Sequence, residues 1–108
     1  MPKYLLIASY TAQGAKGLLE DGGSKRRKTV EMMAKDLGGK VESFYFGFGS
    51  DDVYVIIDVP DHASAAAASL VVSASGGVSS RTVVLLTPEE MDDAAKKSEK
   101  VGYKPPGT

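Results

Sequence analysis

The sequence predicts an α+β fold in the order β-α-β-β-α-β, a four-stranded antiparallel sheet with helices on one face, followed by a C-terminal helix. Three observations predict it. Short apolar runs suited to strands alternate with stretches whose apolar residues recur at helical spacing. Two of the strand-like runs, "KVESFYFGF" and "DVYVIIDV", are separated only by a brief polar break, which makes them a hairpin. Glycine pairs at Gly22-Gly23, Gly38-Gly39 and Gly76-Gly77 punctuate the rest.

Taken in order, "KYLLIASY" is short, apolar and aromatic at both ends, as a strand requires. Thr11 is placed to cap "AQGAKGLLED", a short helical turn weakened by two glycines. "SKRRKTVEMMAKDL" carries Val30, Met33, Ala34 and Leu37 on one stripe, so it reads as an amphipathic helix with Ser24 as N-cap and Gly38-Gly39 as its stop. After the hairpin, Pro60 ends the strand and Asp61 caps the Ala-rich helix "HASAAAASLVVSAS". Its small side chains let that helix sit close to the sheet. "VSSRTVVLL" is the fourth strand. Thr87, Pro88 and Glu90 then form a capping box with proline at the first helical position, and Asp92–Lys96 and Asp93–Lys97 are favourable i, i+4 pairs. One domain over residues 1–100 is expected, with 101–108 as an extended tail.

This order is the ferredoxin-like plan, which puts the first and third strands in the middle of the sheet. The third strand is apolar on nearly every residue, whereas a strand with one wet face alternates. The open face therefore wants a partner, and a second copy of the chain is the expected one.

Thirteen basic residues against fourteen acidic ones argue against general nucleic-acid binding, which needs a basic surface. The absence of cysteine excludes disulfides, cysteine zinc sites, iron–sulfur clusters and thiol nucleophiles. With a single histidine, a metal site is not expected. "GAKG" and "GGSK" match neither phosphate-loop nor dinucleotide spacing, so no cofactor is expected. No apolar run suits a membrane span or a secretory leader, and the expectation is a soluble cytoplasmic protein.

The opening "MPKYLLIASYT", the basic start of the long helix, "LGGKVESFYF" entering the hairpin, the Ala-rich helix and "VSSRTVVLLTPEE" together make the chain resemble the GYD-domain family. That family is ferredoxin-like and related in shape to the dimeric α+β barrels, so the resemblance implies an assembly of that type. Its Gly-Tyr-Asp motif falls in the hairpin turn. Here Gly49 and Asp52 stand at the glycine and aspartate positions, and Asp51 occupies that of the tyrosine. The family is largely uncharacterised and implies no particular activity.

Candidate site residues follow from chemistry and position. Asp52 in the turn either bonds to backbone, as turn geometry favours, or rims a site with Asp51. His62 is the only side chain whose ordinary titration lies near neutrality; otherwise it is an exposed first-turn residue beside the Asp61 cap. Lys25 to Lys28 oppose the helix macrodipole and would attract an anion, unless they are simply a solvated basic face. Arg27 is taken from this run because the resemblance implies a basic residue there. Tyr10, Tyr45 and Tyr54 lie on strands, as does Tyr4, and a buried hydroxyl needs a partner. Tyr54 and Asp58 share a face of the third strand, and Arg81 on the fourth could supply charge. A chamber closed by a second subunit would then have apolar walls and a few polar groups. Core and interface filling is the plain alternative for these tyrosines.

Three functions remain open from sequence. The first is an oligomeric protein that binds or senses a small, anionic or aromatic molecule. The second is a cofactor-independent enzyme of the dimeric α+β barrel type, with Tyr54, Asp58, His62 or Arg81 in acid–base roles. The third is a structural oligomerisation module.

Overall fold

The computed structural model describes residues 1–47 and 49–108. In chain order the elements are β1 (Lys3–Tyr10), α1 (Ala12–Asp21), α2 (Gly23–Asp36), β2 (Lys40–Phe46), β3 (Val53–Asp58), α3 (His62–Ala74), β4 (Val78–Leu85) and α4 (Pro88–Ser98). The four strands form one antiparallel sheet in the order β2-β3-β1-β4. The expected ferredoxin-like arrangement is therefore present, with β1 and β3 central.

Three local expectations change. The stretch after Thr11 is a ten-residue helix rather than a short turn. Thr11 does cap it, accepting a hydrogen bond from Gly14 N–H, and the two glycines cost less than the helix gains by lying against β1 and α2. Ser24 is not the cap of α2. Gly22 is, because its φ of 81° makes a sharp corner and lets α2 start directly after α1. The second strand stops at Phe46 rather than two residues later, and Phe48 lies outside the described residues.

Alternation along the strands gives the sheet two unlike faces. Across the helix-covered face run Val41, Ile57, Tyr4 and Val84, then Phe44, Val55, Leu6 and Thr82. Tyr4, Leu6, Val53, Val55, Ile57 and Val59 pack there against Val30 of α2 and Ala65 and Ala68 of α3. The alanines behave as expected, since their small side chains let α3 approach the sheet until Ala68 is fully buried. Across the other face run Tyr45, Tyr54, Ile7 and Arg81, then Ser43, Ile56, Leu5 and Val83. Among the described residues no helix packs on this second row of side chains.

At the C-terminus the capping box of α4 is formed in full: Thr87 Oγ1 accepts from Glu90 N–H, and Glu90 Oε1 accepts from Thr87 N–H. Asp93 pairs with Lys97 at 3.2 Å. Every residue of α4 and of 101–108 is exposed, so this arm stands off the sheet. The radius of gyration is accordingly 17.1 Å, against roughly 13 Å for a compact domain of about 100 residues.

Candidate functional site

Helices α2 and α3 lie over opposite margins of the sheet, α2 beside β2 and α3 beside β4. A cleft is left between them, floored by Leu6, Ala8 and Val55 of the central strands. Its inner part is a throat of about 40 Å³ walled by Val30, Met33, Phe44 and Val72. Outward, past Val30, Met33, Ala68 and Val72, it continues into a groove of about 590 Å³ between the helices. Towards α1 a third recess of about 200 Å³ adjoins it, sharing Tyr10, Arg26 and Val78 with the throat. The lining is mostly apolar. Tyr10, Arg26, Ser69 and Ser80 supply the polar groups of the throat, and the two serine hydroxyls lie 3.3 Å apart.

Arg26 borders all three spaces, whereas Arg27 borders none of them. The reason is helical geometry. Arg26 stands four residues before Val30 and seven before Met33, so it continues the apolar stripe that α2 turns towards the sheet. Arg27 is rotated by about 100° and lies outside, over Phe44 and Phe46 at the β2 margin. The expected residue, Arg27, is thus replaced by its neighbour, and the spacing to Val30 and Met33 is the signal that marks Arg26.

Tyr10 forms the inner wall. Burial pushes its hydroxyl above the ordinary tyrosine pKa, and the nearby Arg26 guanidinium partly offsets this. Its backbone is held by the hairpin turn: Asp52 Oδ2 accepts from Tyr10 N–H at 2.9 Å, and Asp52 N–H donates to Ala8 O at 2.9 Å. The Asp52 carboxylate thus clips the turn to the end of β1. Gly49 in the same turn has φ 137°, a conformation that favours glycine. The turn is a structural joint that holds Ala8 and Tyr10, both of which line the cleft.

The remaining sequence candidates are dispersed. Tyr54 and Arg81 flank Ile7 on the open face, and Tyr45 stands next to Tyr54, 70% exposed. Arg81 Nη2 donates to Asp51 Oδ2 at 3.2 Å, while Ser9 Oγ donates to Asp51 Oδ1 at 3.2 Å. Although partial burial pushes the Asp51 carboxyl up, the hydrogen bonds from Arg81, Ser9 and Ser50 outweigh it and bring it below the usual carboxylate value. Asp58 is on the same face as Tyr54, as parity requires, but it is buried and bound to Lys3 Nζ at 2.8 Å. Lys3 also reaches Glu42 at 2.6 Å, and these two acids raise its pKa, Asp58 more than Glu42. His62 is exposed in the first turn of α3, with Nδ1 hydrogen-bonded to the buried Tyr4 hydroxyl at 2.6 Å. So Tyr10 lines the cleft with Asp52 bound to its backbone, Tyr45, Tyr54, Arg81 and the buried Asp58 share the open face, and His62 and Arg27 each lie elsewhere.

Among the described residues no group of three or more His, Asp or Glu side chains is arranged to hold a metal ion, and no helix is long and apolar enough to cross a membrane. No curated protein and no solved structure gives a match to the chain. The family model of the GYD domain matches residues 4–95, which takes in every strand and runs from β1 into α4. With most of its length matched and the fold in agreement, the chain belongs to the GYD-domain family.

Proposed function

We propose that this chain is a small-molecule binding or sensing protein, that its site is the cleft between α2 and α3, and that it works as a homo-oligomer. One observation carries the reading: an apolar cleft opens into a groove of about 590 Å³ and has a few polar groups converging at its inner end. Apolar walls with sparse, placed polar groups at this scale are the ordinary make-up of a small-ligand site, typically about 300–1,000 Å³. This reading puts the ligand on the helix-covered side of the sheet, opposite the face expected to close against a second subunit. The open face keeps the other half of the expectation, a second copy, because Leu5, Ile7, Ile56 and Val83 form a continuous apolar band on it.

Anilinonaphthalene sulfonate, an apolar anion that fluoresces when desolvated, tests both halves. Val72→Phe places a ring in the cleft at a half-buried position, and Ile56→Lys puts a charge on the open band. Saturable fluorescence that survives Ile56→Lys and disappears in Val72→Phe is the expected result. The reverse pattern would place binding on the open sheet and overturn the cleft reading. Sedimentation of Ile56→Lys should show smaller particles than the parent; unchanged particles would remove the open face as the interface.

A further inference from the structure

The throat of the cleft is lined by one cation and by no acidic side chain. Arg26 is half-buried, borders the throat, the groove and the α1 recess, and forms no ion pair among the described residues. The acids near its end of the cleft are committed elsewhere. Asp21 pairs with Lys25, and Asp52 holds the Tyr10 backbone N–H. Asp36 borders the groove ten residues further along α2, roughly 15 Å away along the helix axis. A guanidinium against Val30 and Met33 gives up part of its hydration, and what replaces that hydration best is an anion with matching geometry.

We infer that the ligand is an apolar monoanion, a small carboxylate bound by the Arg26 guanidinium with its hydrocarbon body in the groove between α2 and α3. This deepens the small-ligand reading and rests on it. The class follows from the donors present. One guanidinium offers a planar fork that fits a carboxylate through two parallel hydrogen bonds. The Tyr10 hydroxyl, held neutral by burial, is a further donor beside it. A phosphoryl group would bring more charge than a single arginine balances. The other cations of the run do not join: Lys25 is paired with Asp21, Arg27 lies over the β2 margin, and Lys28 borders none of the three spaces. Beyond the charged end, the walls are Val30, Met33, Ala68 and Val72, which suit a chain or ring with no polar substituents.

Octanoate and 1-octanol are the probes, alike in body and different in charge, titrated calorimetrically into the full chain below their aggregation concentrations. Octanoate is expected to bind more tightly than octanol. Arg26→Gln should weaken octanoate about ten- to a hundredfold, the loss of one charge-assisted contact, while leaving octanol and the circular dichroism spectrum unchanged. Arg26→Lys keeps the charge without the fork and should fall between. Bound octanoate should also move the Tyr10 phenolate titration to higher pH, since a second negative charge beside it is disfavoured. Equal affinity for the two probes, or an octanoate affinity unchanged in Arg26→Gln, overturns the carboxylate inference and leaves the cleft reading standing. If neither probe binds the parent protein, the cleft reading falls and takes this inference with it.

Discussion

The two faces of the sheet are built from the same four strands and solve opposite problems. On the helix-covered face, Ile57 and Tyr4 sit beside each other fully enclosed by side chains of this chain. One residue along, Ile56 and Leu5 sit beside each other on the open face and remain partly exposed. The chemistry of the rows is similar, but only one is covered from within. The open rows end in charge, with Lys3, Asp58 and Glu42 near one end and Ser9, Asp51 and Arg81 near the other. An apolar band fenced by ion pairs is suited to meeting another surface in a fixed register. The covered side instead turns a cation, Arg26, into a cleft. Packing within the chain therefore builds the cleft, and the open face is what that packing leaves uncovered.

Paired substitutions test this division, beginning with the largest effect. Ile57→Ala removes a residue that is 0% exposed and should cost about 2–5 kcal/mol in urea unfolding. The adjacent Ile56→Ala should cost the subunit only about 1 kcal/mol, with the loss appearing instead as weaker self-association. Equal costs at both positions would erase the distinction between the faces. Tyr4→Phe comes next. It removes the hydroxyl bonded to His62 while keeping the ring, and should lower stability by about 1 kcal/mol, read from the same unfolding curves. A far larger loss would mean that the Tyr4–His62 pair holds the start of α3 in place.

The smallest effect belongs to Asp51 at the fenced end of the open face. Its carboxyl lies below the usual value in the folded protein, so its ionised form is favoured there. The stability it contributes is full above the ordinary carboxylate range and is lost as pH falls through its lowered folded value. Asp51→Asn should therefore lower the melting temperature slightly at neutral pH and flatten the acid limb, with parent and variant converging at low pH. Asp61, lowered by the N–H and hydroxyl of Ser64, keeps the remaining acid sensitivity. An unaltered acid limb in the variant would show that the Arg81 and Ser9 contacts to Asp51 contribute nothing in solution.

Much of the fold was legible from local chemistry. The Thr87 box, the Asp61 cap and the glycine stops are short-range signals, and each is found where the residues indicate. The start of α2 was less legible, because Ser24 satisfies every capping preference while Gly22 wins on backbone geometry. The site was legible only in part. Tyr10 belongs to it, but the cleft exists because two helices far apart in sequence lie over different strands, and no periodicity within either helix encodes their separation. Arg26 could have been found, since it lies on the stripe of Val30 and Met33. The division of the tyrosines was implicit in strand parity: Tyr4 and Tyr10 share the side of Leu6, while Tyr54 opposes Val53 and Val55.

The central position of β1 has a consequence for how the chain is assembled. The first of the four strands to be synthesised pairs along one edge with residues 53–58 and along the other with residues 78–85, Lys3 meeting both Asp58 and Leu85. Neither pairing can be made until most of the chain exists, and each closes a long loop before it is rewarded. The β2–β3 hairpin needs only its own turn and can form early. Nascent β1 must meanwhile wait with both hydrogen-bonding edges bare, in a segment rich in Leu, Ile and Tyr. For this chain the hazard of mispairing is therefore concentrated in its first ten residues, and it ends when the last strand docks.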